Sequence, residues 1–198
     1  MNNIKVLLKP DNVSWEVIRD VLHQAHKVNF EKGIIMRTTT LSGKELSERV
    51  GENGKCFVAM DGDKVVGVGA YRIKEYKRWF HKGKAMDFTL GAIIPAYQGK
   101  HIYPMLNKAR IEEAKRQGLD VICCDTAEKN TRVIQMYSEM GFIKVDFWTP
   151  PSKHYSVEMM HWLRGCPFSE TYCALRYSLR KFYVKMRYKP GKIKRFVI

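Results

Sequence analysis

Residues 85–117 read AMDFTLGAIIPAYQGKHIYPMLNKARIEEAKRQ, an apolar strand pattern that closes on Ile93-Ile94-Pro95 and gives way, after a short loop, to a helical pattern. The loop holds Gly99 and Lys100, the helix is predicted over Ile102 to Gln117, and Gly118 stands where a helix favours a left-handed C′ residue. The first N–H groups of a helix have no internal partners, and the macrodipole places partial positive charge there. A strand that runs through a small loop directly into a helix therefore suits a phosphate. A glycine and a lysine before a helix are by themselves an ordinary strand-to-helix turn, so the surroundings decide.

Outward from this segment, alternation and β-branched runs predict strands near Ile4 to Leu8, Cys56 to Met60, Val65 to Lys74, Ala85 to Ile94, Leu119 to Asp125, Phe142 to Thr149 and Tyr155 to Leu163. Asp61-Gly62-Asp63 is a tight hairpin turn. Helices are expected over Ser14 to His26, with Ser14 as N-cap, over Lys44 to Val50, and through Val133, Met136, Tyr137 and Met140, which recur at helical spacing before Gly141. Antiparallel neighbours come first and two strand-helix-strand units follow. The fold class is thus α/β, a central mixed sheet flanked by helices. The composition shift after Leu163 divides the chain into a core at 1–163 and a basic extension at 164–198.

A second motif follows the strand ending at Asp125: Asn130-Thr131-Arg132-Val133-Ile134-Gln135-Met136-Tyr137-Ser138-Glu139-Met140-Gly141-Phe142. Together with Gln98-Gly99-Lys100-His101-Ile102-Tyr103, it resembles the GNAT superfamily of N-acetyltransferases, in which Gln/Arg-x-x-Gly-x-Gly/Ala opens a helix and Asn-x-x-Ala-x-x-apolar-Tyr-x-x-x-Gly-Phe comes later. The resemblance implies a GNAT-like acyl-coenzyme A N-acyltransferase fold and acetyl-coenzyme A as co-substrate. It also implies acetyl transfer to a primary amine by direct attack in a ternary complex. Ile93 and Ile94 would offer main-chain groups to the pantetheine arm, Gln98, Gly99, Lys100, His101, Ile102 and Tyr103 would surround the pyrophosphate, and Asn130 would contact the arm. Tyr137 would protonate the departing thiolate. Asp87, on the strand before the loop, would serve as base for an amine that is mostly protonated at neutral pH.

The sequence departs from the family at His101 and Tyr103, which stand where small residues are usual, and at Val133. Glycine's value there is its missing Cβ, so both side chains are expected near the pyrophosphate. That motivates a rival reading, a GNAT-fold module that binds cofactor without turnover. Each assigned residue also has a plainer role. Asp87 would be a solvated strand-end residue, Tyr137 a packed tyrosine in its helix stripe and Asn130 an N-cap. Strand period puts Asp87, Thr89, Gly91 and Ile93 on one face. By the same resemblance the acceptor would meet Phe30 to Thr40, Tyr76 to Lys84 and Thr149 to Tyr155, stretches that hold Trp79, Phe80, His81 and His154, with Trp148 directly before the last. The identity of the amine is not encoded.

The 198 residues carry 35 Lys plus Arg against 20 Asp plus Glu, a net charge of +15 that favours anionic partners. Ten of the basic residues and one acidic residue lie between Arg164 and Ile198. Tyr172, Leu175, Leu179, Phe182, Tyr183 and Met186 recur at helical spacing with Arg176, Arg180, Lys181 and Lys185 between them, a basic amphipathic helix. The simpler expectation is that this apolar stripe docks on the core. The sharper one is an anionic membrane surface met by residues 171–195. Nucleic acid is not expected, because charge without a reading element supports only non-specific binding. The five cysteines read as buried thiols without metal-ligand spacing, so no metal is expected. No apolar run reaches the roughly 20 residues of a membrane span, and Met1 to Pro10 lacks a signal-peptide pattern, which places the chain in the cytoplasm, with the inner membrane face as the alternative. The sequence does not encode the oligomeric state, and a dimer is compatible with it.

Overall fold

A computed structural model describes residues 4–31, 37–78, 81–149 and 154–188, without the side chains of 28–31, 37, 77, 78, 81 and 82. Its elements in chain order are β1 (Ile4–Leu8), α1 (Trp15–Glu31), α2 (Gly43–Val50), β2 (Lys55–Asp61), β3 (Lys64–Arg78), β4 (His81–Ile93), α3 (Ile102–Arg116), β5 (Val121–Ala127), α4 (Thr131–Glu139), β6 (Ile143–Trp148), β7 (Ser156–Trp162) and α5 (Glu170–Arg187). One seven-stranded sheet takes the order β1-β2-β3-β4-β5-β7-β6. Every pairing is antiparallel except β4 with β5. The mixed sheet expected from the sequence is the sheet found.

Local chemistry explains the boundaries. Ser14 accepts a hydrogen bond from the Val17 N–H at 3.3 Å, the N-cap role predicted for it. Ser42 and Glu45 form a reciprocal capping box, so α2 begins at Gly43. Asp61 pairs with Lys64 across a two-residue turn in which Gly62 takes φ 59°. α1 runs five residues beyond the predicted His26.

Helices α1 and α2 pack on one side of the sheet through Ile18, Leu22, Leu46 and Val50, within the core cluster that contains Val58, Val66 and Leu90. On the other side, Ala114 of α3 and Ile134 and Tyr137 of α4 meet Met86, Phe88, Ile122, Cys124 and Met159. The five cysteines are free thiols, of which Cys166 alone is half-buried rather than buried.

α5 docks on β6 and its surroundings through Cys173, Tyr177 and Val184. This corrects the simpler expectation for the extension. The stripe named from the sequence faces away from the core, with Leu175, Leu179, Phe182 and Met186 at 60%, 61%, 66% and 71% exposure.

Candidate active site

β4 and β5 lie side by side for two residue pairs, Met86 with Ile122 and Asp87 with Cys123, and then part. Beyond that point Thr89 to Ile93 and Asp125 to Ala127 have no ladder partner across the gap. The cause of the parting lies in β4. Val68 pairs with Ala92 and Ala70 with Thr89, so β4 spends one extra residue against β3 and bulges at Leu90-Gly91. Leu90 takes φ 51° there. The bulge ends the strand alternation, so the predicted common face of Asp87, Thr89, Gly91 and Ile93 is not kept.

A buried cation supports the bulge. Arg110 of α3 is 0% exposed and donates from Nη1 to the carbonyls of Ala70, at 3.0 Å, and Thr89, at 3.5 Å, on the two strands where the ladder breaks. Its second nitrogen binds Asn107 Oδ1, its Cζ lies 3.9 Å from the Phe88 ring centre, and Nε has no acceptor among the described residues. No carboxylate pairs with it among the described residues. The signal in the sequence was a charge in the apolar row Ile102, Leu106, Arg110, Ala114.

At one end the gap meets the loop before α3. Gly99 has φ 80° with nothing within 4 Å of where a Cβ would stand, and His101 takes φ 57°. The main-chain N–H groups of Gly99 to Tyr103 have no acceptor among the described residues. Five consecutive free donors with left-handed residues among them form a concavity for an anion at a helix N-terminus. His101 thus adopts the conformation that the expected glycine would supply. Leu90 and His101 are the two non-glycine residues at positive φ among the described residues, each costing about 1–2 kcal/mol. Both border the gap.

The predicted cofactor residues divide by role. Gln98 is exposed and its amide donates to the Ile93 carbonyl at 3.3 Å, which ties the loop to the strand end. The Ile94 N–H is taken by Val66 in the ladder, and the Ile102 side chain is in the core, so what Ile102 offers is its N–H. Lys100 is exposed, its ammonium 4.5 Å from the Tyr97 ring centre. Asn130 is the N-cap of α4 through its main chain, its carbonyl accepting from the Val133 and Ile134 N–H groups, while its side chain makes no cap bond and its amide has no partner among the described residues. The Tyr103 ring turns inward, away from the loop. Its hydroxyl lies 2.0 Å from the place of a Gly91 Cβ, so a side chain there would displace the Tyr103 ring, and 3.2 Å from the Tyr137 hydroxyl. The two tyrosines floor the gap from the α3–α4 side. Tyr137 is 3% exposed; its burial, then the Tyr103 hydroxyl, raise its pKa well above the ordinary phenol value and keep it protonated.

Across the sheet, facing α1 and α2, lies a charged network. Asp87 is buried, neither solvated nor at a strand end. Arg72 reaches its Oδ2 at 2.8 Å, Lys74 its Oδ1 at 3.2 Å, and the Cys123 thiol donates to Oδ1 at 3.6 Å. Burial opposes the Lys74 charge, but Asp87 outweighs it and raises the Lys74 pKa. Arg49 of α2 donates to Thr89 Oγ1 at 3.2 Å. Asp125, two residues past the Asp87–Cys123 pair and on the same face, was not singled out from the sequence. It is open to water although protein surrounds it closely, and it makes no ion pair or hydrogen bond among the described residues. That close surrounding, then the Asp87 carboxylate, raise its pKa. The one charge in the run Val121–Ala127 was the available signal.

Of the aromatic residues expected around the acceptor, Trp148 and His154 are half-buried, and burial lowers the His154 pKa. Trp79, Phe80 and the His81 side chain lie outside the described residues, as do 32–36 and 150–153. Two surface cavities, of about 400 Å³ beside α1 and about 430 Å³ beside α2, do not include the loop or the tyrosine pair.

The sheet that parts between β4 and β5 and opens on a phosphate-type loop is matched by a sequence model of the Acetyltransferase (GNAT) family over residues 19–142, more than half of the chain. The chain belongs to the GNAT acetyltransferase family. Solved structures repeat its fold. The ribosomal-protein-S18-alanine N-acetyltransferase of Escherichia coli is 13% identical with a TM-score of 0.62, over 84% of this chain and 99% of that one. A GNAT family acetyltransferase from Elizabethkingia anophelis, determined with acetyl-coenzyme A bound, is 16% identical with a TM-score of 0.58, over 82% and 100%. A GNAT family acetyltransferase from Staphylococcus aureus is 17% identical with a TM-score of 0.64, over 81% and 99%. No curated protein matches the chain in sequence. For a GNAT protein the fit to coenzyme A is good: five free N–H groups suit a diphosphate, and the unpaired flank of β4 suits an extended arm with amides.

Proposed function

We propose that this GNAT protein transfers an acetyl group from acetyl-coenzyme A to a primary amine, with both held at once. The observation that carries the reading is the gap between β4 and β5, which leads from the free N–H groups of residues 99–103 to the Tyr137 hydroxyl on one side of the sheet and Asp125 on the other. The bound acetyl-coenzyme A of the Elizabethkingia protein supports the choice of cofactor. Acetyl-coenzyme A, when bound, supplies a thioester carbonyl for the amine to attack and a thiol that departs. Gly99 to Tyr103 bind the diphosphate, Lys100 adds charge, and the free edge of β4 orients the arm as an added strand would. Asn130 offers its amide to the same arm. Tyr137 holds the proton that its hydroxyl releases toward the leaving sulfur, and the Tyr103 hydroxyl then donates to the phenolate oxygen.

The base is where this reading departs from the sequence. Asp87 is held by Arg72, Lys74 and Cys123 and acts as a positioning residue for the two cations. Asp125 has no such partner, is reached by water, and carries the raised pKa suited to accepting a proton from an ammonium. Asp125→Asn is expected to lower kcat/KM roughly tenfold and to remove the acid limb of its pH profile. In the wild type that limb falls as pH drops through the raised carboxylate pKa, because protonated Asp125 accepts nothing. A profile identical in the variant removes Asp125 from the reaction.

Incubation with acetyl-coenzyme A and a panel of primary amines tests the function, with thiol release and the mass of the amine product as readouts. Cofactor binding without thiol release on any amine would favour the rival reading of a cofactor-binding module.

A further inference from the structure

α5 has two apolar faces and the core uses one of them. Cys173, Tyr177 and Val184 are buried against the sheet. Tyr172, Leu175, Leu179, Phe182, Tyr183 and Met186 are exposed, and at 100° per residue their stripe is centred roughly half a turn from the docked face. Docking therefore does not account for them. Large apolar residues gathered on one exposed strip mark a surface that meets something.

The seams between the two faces are basic. Arg176, Arg180 and Arg187 line one and Lys181 and Lys185 the other. Arg180 pairs with Asp146 at 3.0 Å, and Lys181 and Lys185 both pair with Glu128 at 2.8 Å. Five cations thus stand against three carboxylates, the two partners and Glu170 of α5 itself. In sequence, Lys189, Lys192, Lys194 and Arg195 follow with no acidic side chain.

A second copy is a poor occupant. From Tyr172 to Met186 the stripe is about 21 Å long and one helix wide, a footprint of roughly 200 Å². A standard interface takes about 800 Å² per partner, and an isologous contact would bring like charges together. An apolar stripe with basic seams, on a helix fixed so that the stripe points outward, fits the boundary between headgroups and acyl chains of an anionic bilayer.

We propose that the outward face of α5 seats this protein on an anionic lipid surface, with Leu175, Leu179, Phe182 and Met186 entering the acyl boundary and the basic seams meeting the headgroups. The proposal is independent of acetyl transfer.

The test is co-sedimentation of the full chain with vesicles of phosphatidylcholine and phosphatidylglycerol, and with vesicles of phosphatidylcholine alone. The expected result is binding to the anionic vesicles that weakens with salt, and little binding to the neutral ones. Leu175→Glu/Leu179→Glu/Phe182→Glu is expected to lower the bound fraction at least roughly tenfold, with an unchanged melting temperature because the three positions are exposed. The single variant Leu179→Glu should give an intermediate loss. No binding to anionic vesicles, or full binding by the triple variant, would overturn the proposal. So would a dimer in sedimentation velocity that the triple variant dissolves, since the stripe would then belong to a second copy.

Discussion

Tyr137→Phe is expected to lower the single-turnover rate roughly ten- to a hundredfold while the protein stays folded. The ring keeps its place against Phe142, at 4.9 Å between centres, and its edge-on contact with Tyr103. The hydroxyl alone is lost. General-acid assistance is worth about 10² to 10⁴, and a thiolate is a good leaving group, so a loss at or below the bottom of that range is expected. Cofactor affinity should change little, because the proton matters as charge develops on sulfur. Stability should fall by about 1 kcal/mol, the usual worth of one hydrogen bond, here the one to Tyr103. Tyr103→Phe leaves the Tyr137 proton in place and removes the donor behind it, so its rate loss should be smaller. Equal rates for wild type and Tyr137→Phe would return Tyr137 to a packing role.

Arg110→Ala is expected to be among the most destabilising single substitutions in the chain. The side chain is fully buried, fills space beneath the bulge and is the donor for the Ala70 and Thr89 carbonyls. Truncation leaves a cavity and takes a buried donor from both carbonyls. A cavity together with the lost hydrogen bonds costs about 3–5 kcal/mol, which in a chain of this size lowers the melting temperature by roughly 6–20 °C. Arg110→Met separates the two causes, since it restores volume but no donor. Its expected loss is about 1–3 kcal/mol, the cost of taking a donor from buried acceptors. Wild-type stability in Arg110→Ala would show that the bulge holds itself.

The same residues show what a linear reading reaches. Strand and helix positions follow from alternation, caps and glycine stops, which are local, so Ser14, the Asp61–Lys64 turn and the loop at Gly99 were legible. The bulge was not, because Leu90-Gly91 looks like ordinary strand, and the groups that bend it, Ala70 and Arg110, come from distant positions in the chain. The place of Asp87 depended on register. Pairing of Arg72 with Asp87 puts a cation beside it, and a carboxylate so held is not the free group that its position in the sequence suggested. Asp125 lay one strand away with no motif to mark it. In α5 the six larger apolar residues suggested the docked face, while the smaller set of Cys173, Tyr177 and Val184 makes the contact. Helical period identifies faces but does not say which one the core takes.

The central claim is that the loop at residues 98–103 and the gap beside β4 hold acetyl-coenzyme A, and calorimetric titration of wild type beside Gly99→Asp tests it most directly. Wild type is expected to bind saturably. Binding should be weakened at least roughly tenfold in the variant, because a carboxylate beside the diphosphate repels it and Asp tolerates φ 80° less well than glycine. Absence of wild-type binding, or equal affinity of the two proteins, would contradict it.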